Sequence, residues 1–191
     1  MRTETRYSGN LPLVGQIKRG PPLEKTVVEC LRKTKKTLAT AESCTGGLLA
    51  NRITNVEGCS EIFLEGFILY SNEVKSKRLH LPKSTIQSHG VVSEEVAAGM
   101  AERLLYVSGA HYALCTTGIA GPTGGTQQVP TGTIFIGLAS HQAPVQIHRG
   151  FFPGSRATFK RLAVDAALGM LYCQLLKCLT LEPGRNLILP G

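Results

Sequence analysis

The sequence predicts an α/β fold in which a mixed sheet is covered by helices on both faces. Two observations carry this. Segments with helical spacing of apolar residues alternate with short β-rich runs, and the last two strands are joined by a turn too short for a parallel crossover. The 191 residues, 42% hydrophobic and 18% charged, suit one globular domain with a substantial core.

Residues 1–22 are polar, basic and broken by Gly20-Pro21-Pro22, which reads as a tail. Glu4 and the lack of an apolar stretch argue against a secretory leader. The domain proper is expected over 23–179, with a second tail over 180–191. It opens with a helix over Leu23–Lys33 and a strand over Thr37–Ala41. A strand-to-helix turn, Glu42-Ser43-Cys44-Thr45-Gly46-Gly47, then feeds a helix ending near Thr54. Gly58-Cys59-Ser60 breaks the pattern before a strand over Glu65–Tyr70, where aromatic and aliphatic residues alternate. Asn72 caps a helix to Leu79, and Ser93-Glu94-Glu95 opens another to Tyr106, with Val96, Met100, Leu104 and Leu105 in register. A strand over Tyr112–Thr117, a glycine-rich loop from Gly118 to Gly132, and strands over Thr133–Ala139 and Val145–Phe152 follow. A long helix, Ser155–Lys177, closes the domain. Asp165, Gln174 and Lys177 interrupt its apolar run, so it is read as buried in protein and not as a membrane span.

The formal charge of +8 favours anionic partners. The dense basic clusters, Arg32 to Lys36 and Lys75 to Arg78, carry no interleaved aromatic residues, which disfavours a nucleic-acid surface. Six dispersed cysteines without a CxxC pair read as reduced thiols of a cytoplasmic protein. The five histidines show no metal-ligand spacing, so no metal is expected.

Ser43 and Cys44 sit on the strand-to-helix turn, ahead of two glycines that permit close approach. The N–H groups of a helix start form a positive end able to hold an anion or a developing oxyanion, and a Ser-Thr-Gly run also serves as a plain cap. Lys75 falls one helical turn after Ser71 and reads either as a surface lysine or, if buried, as a general base. The loop containing Thr117, Gly118 and Gly121 offers backbone donors to a ligand, but matches neither the Walker nor the dinucleotide fingerprint. Gly154-Ser155-Arg156 sets an arginine beside a helix start, suited to a phosphate or to a surface ion pair.

The run AESCTGG, followed by GCSEIFLEGFILYSNEVK, HGVVSEEVA, TTGIAGPTGG, PTGT and GSR in that order, resembles the C-terminal domain of the CinA family. Its single-domain members are nicotinamide-nucleotide amidases. The resemblance spans about Leu23 to Leu176 and implies a three-layer α/β/α sandwich with a mixed central sheet. It implies hydrolysis of the carboxamide of nicotinamide mononucleotide, a phosphorylated small molecule, to nicotinic acid mononucleotide and ammonia, without metal or organic cofactor. Carried over by motif, the nucleophile falls on Ser43 and its helpers on Tyr70 and Lys75, with the choice of base between those two left open. Substrate contacts fall on Thr117 and Arg156. Backbone groups around Thr45 and Gly46 would face the oxyanion, and those of Gly118 and Gly121 the phosphate. A homodimer is a family-level expectation. The late motif departs from the usual Gly-Asp-Arg, reading Gly-Ser-Arg here. Cys44 and Ser71 remain rival nucleophiles. A DNA-associated binding module and a hydrolase of another small amide remain rival functions.

Overall fold

The computed structural model describes residues 21–181. The expected tails lie outside that range except for Pro21, Pro22, Thr180 and Leu181. The chain runs α1 (Leu23–Thr34), β1 (Leu38–Glu42), α2 (Leu48–Thr54), a single 3₁₀ turn (Cys59–Glu61) and β2 (Phe63–Ile68). Then come α3 (Asn72–Leu79), α4 (Lys83–His89), α5 (Glu94–Ser108), β3 (Tyr112–Gly118), β4 (Thr133–Ser140), β5 (Ala143–Phe151) and α6 (Arg156–Leu181).

The five strands form one sheet in the order β2-β1-β3-β4-β5. β1 pairs in parallel with β2 and β3, and β3-β4-β5 continue antiparallel, so the sheet is mixed as expected. Side chains alternate across it. Leu38, Leu114, Ile134 and Ile136 point to the face that packs Val27, Leu31, Leu49, Ile53, Phe159 and Leu168 of α1, α2 and α6. Ala39, Ala41, Ala113 and Cys115 point to the other, under Leu79 of α3 and Val96, Met100 and Leu104 of α5. Each face has its own apolar cluster, which makes the molecule a three-layer α/β/α sandwich. On the first face Arg52 of α2 pairs with Glu24 of α1 and Asp165 of α6, tying three helices together.

The small residues on the α5 face let that helix lie close to the sheet. At Gly137 on β4 a Cβ would stand 2.6 Å from the Ala97 carbonyl oxygen and 2.8 Å from the Cys115 sulfur. Gly137→Ala is therefore expected to cost about 1–3 kcal/mol of stability by overpacking. The check is a lowered urea midpoint at unchanged slope.

Most boundaries differ from the sequence expectation by one or two residues. The exceptions are the end of α6, at Leu181 instead of Lys177, and the extra helix α4. β2 ends at Ile68 instead of Tyr70, because the chain turns away once Leu69 N–H has bonded to the Glu42 carbonyl. α4 was not expected at all. None of its seven residues is buried, so it shows no apolar stripe, and only Pro82 before it and Gly90 after it mark it. No helix among the described residues is long and apolar enough to cross a membrane.

Candidate active site

Parallel pairing of β2, β1 and β3 brings three carboxyl ends to one rim of the sheet. Ser43 follows β1, Tyr70 lies two residues past β2, and Thr117 and Gly118 end β3. In open α/β sheets ligands bind outside such ends. A crevice of about 610 Å³ opens there. Its wall includes Ser43, Cys44, Tyr70, Lys75, Thr117, Gly118, Gly121 and Arg156.

The turn that carries Ser43 is pinned at both ends. Ser43 N–H donates to the Thr116 carbonyl at 3.0 Å, and the Thr45 and Thr116 hydroxyls bond at 2.8 Å in the interior. Gly46 and Gly47 both hold positive φ (61° and 93°), which lets the chain swing from strand into helix. Gly47, as the N-cap of α2, has no side chain with which to cap it. Glu42 does so instead. Its carboxylate accepts from Gly47 N (2.9 Å), Leu49 N (3.0 Å) and Ala50 N (2.8 Å). The start of α2 is thus occupied, and the anion site expected at those N–H groups is corrected to a capped helix. Thr45 and Gly46 do not line the crevice. Thr45 is buried beneath the turn, and Gly46 faces outward beside Lys160 of α6.

Ser43 and Lys75 do converge. Lys75 Nζ lies 3.1 Å from Ser43 Oγ and donates to the Leu69 carbonyl at 2.9 Å. The lysine is 1% exposed and the serine 8%. No carboxylate among the described residues forms an ion pair with Lys75, and burial holds its pKa below the ordinary lysine value. An amine kept from water beside a hydroxyl is poised to take its proton.

The rivals to Ser43 are differently occupied. Burial pushes the neighbouring Cys44 thiol up to about 12, so it stays protonated near neutrality. Ser71 Oγ accepts from Val74 N–H at 3.2 Å and caps α3 in place of the expected Asn72, which is the first residue of the helix. Thr117 is fully buried and its hydroxyl donates to the Val91 carbonyl at 2.8 Å, so it braces the 90–92 segment of the wall. Arg156 donates to the Gly121 carbonyl at 3.2 Å and to the Tyr70 hydroxyl, bridging the glycine-rich loop to the rim. Tyr70 is 61% exposed.

The sequence reading missed much of the far wall: Asn72, the His89–Val92 segment, and Thr126, Gln128 and Val129. His89 closes α4 and pairs with Glu95 at 3.3 Å. Among the described residues no group of His, Cys, Asp or Glu is arranged to hold a metal ion.

Residues 21–175 match the CinA C-terminal domain. A CinA-like protein of Leptospira biflexa is 43% identical over 146 residues, 76% of this chain and 35% of its own length. A putative competence-damage inducible protein of Thermoanaerobacter pseudethanolicus is 44% identical over 149 residues, 78% of this chain and 36% of its own. The chain thus spans about a third of the length of these relatives. Among solved structures, a competence/damage inducible protein of Agrobacterium tumefaciens superposes with a TM-score of 0.78 at 33% identity, covering 81% of this chain and 93% of that one. Matched along most of its length in both sequence and fold, the chain belongs to the CinA C-terminal domain family.

Proposed function

We propose that the chain is a nicotinamide-nucleotide amidase, hydrolysing the carboxamide of nicotinamide mononucleotide to the acid and ammonia in the cytoplasm. The observation that carries this reading is the buried Lys75 amine 3.1 Å from the Ser43 hydroxyl. Ser43 Oγ attacks the carboxamide carbon while its proton passes to the neutral Lys75 amine. The C–N bond then breaks as Lys75, directly or through Tyr70, returns a proton to the departing nitrogen, which leaves as ammonia. Water, deprotonated by the same amine, cleaves the resulting ester and frees Ser43. Of the backbone donors in this turn, the N–H of Cys44, which lines the crevice beside Ser43, is the candidate for the oxyanion, since Glu42 occupies those downstream and Thr45 and Gly46 leave the wall.

The crevice volume is in the range that encloses a small ligand. Arg156 spends only part of its donor fork on Gly121 and Tyr70, and the remaining donors suit a phosphate at the rim. This phosphorylated substrate accounts for cationic character at the site without nucleic acid. The relatives' names speak of competence and damage and name no reaction.

Arg156→Ala is expected to raise KM for the nucleotide about 10- to 100-fold, the loss of a charge-assisted hydrogen bond. The phosphate-free riboside should be affected much less, and equal effects on the two substrates would refute the phosphate role. Ammonia release measured across the mononucleotide, its riboside and simple amides tests the function itself. Preference for the mononucleotide is the expected result. Faster turnover of a simple amide would point to another amidase, and salt-sensitive DNA binding without hydrolysis to a binding module.

A further inference from the structure

The strand end that delivers Ser43 also carries a buried acid that the proposed reaction does not use. Glu42 is 1% exposed, yet no cation among the described residues pairs with it. The hydrogen bonds of its carboxylate go forward, across the turn, to N–H groups of Gly47, Leu49 and Ala50. The backbone of the same residue is fixed in the sheet, paired with Ile68 of β2 and Thr116 of β3, and its carbonyl accepts from Leu69 N–H at 2.7 Å. One residue therefore ties the rigid strand to the start of α2, and residues 43–46 are the span closed between its backbone and its side chain.

Its backbone contact also reaches the base. The residue whose N–H bonds to the Glu42 carbonyl, Leu69, is the one whose carbonyl holds the Lys75 amine. The two arms of Glu42 thus bear on both members of the Ser43–Lys75 pair, one through the turn and one through the β2 end. A capping Ser or Asn at position 47 could satisfy the helix, but it could not link the helix to β1. Gly47 is instead in a left-handed conformation that disfavours a side chain.

We infer that Glu42 is a positioning residue for the candidate nucleophile: its carboxylate clamp sets the place of Ser43 Oγ relative to Lys75 Nζ. The inference rests on the amidase reading only in taking Ser43 as the nucleophile. Glu42→Gln keeps the size of the side chain, but its amide nitrogen cannot accept and would face an N–H group. Two of the three bonds can persist while the turn shifts.

The test is the rate at which a fluorophosphonate probe labels Ser43, mapped by peptide mass. In that reaction the Ser43 Oγ–P bond forms, fluoride leaves, and the hydroxyl proton passes to Lys75, so no amide substrate is involved. Glu42→Gln that remains folded by circular dichroism is expected to label about 100-fold more slowly, as befits a displacement of about 1 Å. The pH midpoint of labelling should stay near the wild-type one, because burial, the main cause of the lowered Lys75 pKa, is unchanged by the substitution. With the amide substrate, kcat should fall by a similar factor while KM stays within about threefold. A folded Glu42→Gln that labels at the wild-type rate overturns the inference and leaves Glu42 a helix cap only. Should Glu42→Gln not fold, Glu42→Asp keeps the charge and withdraws the carboxylate by one methylene. Slower labelling of Glu42→Asp supports the inference and an unchanged rate overturns it. A wild-type chain that labels at Ser43 but releases no ammonia removes the amidase reading and leaves this comparison intact, whereas failure of the wild type to label overturns the positioning role itself.

Discussion

Ser43→Ala is expected to lower kcat/KM for ammonia release by about four orders of magnitude or more, since removal of a nucleophile leaves only binding and electrostatic stabilisation. The fold should survive. Ser43 is anchored through its backbone N–H to the Thr116 carbonyl, which alanine keeps, and the Lys75 amine retains the Leu69 carbonyl as acceptor. The turn itself is held by Glu42 and by the Thr45–Thr116 pair, neither of which involves the Ser43 hydroxyl. Circular dichroism and thermal melting should therefore match the wild type while the ammonia signal disappears. Near-normal turnover by the alanine variant would reject the assignment, and attention would then pass to Ser71, because Cys44 is held protonated by its burial.

Replacing Lys75 by methionine should separate activity from stability in opposite directions. Activity is expected to fall about 10²- to 10⁴-fold in kcat, the range for loss of a positioned general base. In the wild type, activity should rise with pH as the amine loses its proton and level off below 10.5, the ordinary lysine value, because burial lowers the Lys75 pKa. Stability follows from the same shift. Between the lowered folded pKa and the unfolded value, the unfolded chain binds more protons, so wild-type stability rises with pH across that window. Below the folded pKa the cost of burying the charged amine is present in full. Lys75→Met removes that cost, so the variant should melt above the wild type at neutral pH, and its advantage should shrink towards pH 10.5. A variant that is less stable at every pH, or a wild-type activity profile whose rise lies at the ordinary lysine value, would contradict the role given to burial.

Much of the fold was legible because its signals are local. Alternating periods, the capping Ser93 and the short turn between β4 and β5 each mark an element without reference to the rest of the chain. α4 was not legible because only Ile86 packs partly against the core and no residue is fully buried, so it leaves no periodic trace. At the site, spacing alone left Lys75 a surface lysine as readily as a base. Its burial depends on β2 lying against β1 and on α3 turning back over the sheet, which no window of sequence contains. The motif resemblance pointed to Ser43, Tyr70 and Lys75, and the fold does bring all three to one crevice. The role of Glu42 escaped notice because an acid at a strand end ordinarily faces solvent. The available signal was a helix that opens on Gly47 and Leu48 with no local capping side chain, so that its donors needed an acceptor from elsewhere. Thr45 and Gly46 were assigned to the crevice by adjacency to Ser43. Successive residues of a tight turn point in different directions, and here they leave the wall.

Acid-quenched mass spectrometry of the wild-type chain during its first turnovers of nicotinamide mononucleotide most directly tests whether this hydroxyl–amine pair performs covalent amide hydrolysis. A transient nicotinoyl-nucleotide ester is expected on the peptide that contains Ser43, present in the wild type and absent from Ser43→Ala. Ammonia release with the acyl group found on another residue, or at an undiminished rate in Ser43→Ala, would contradict it.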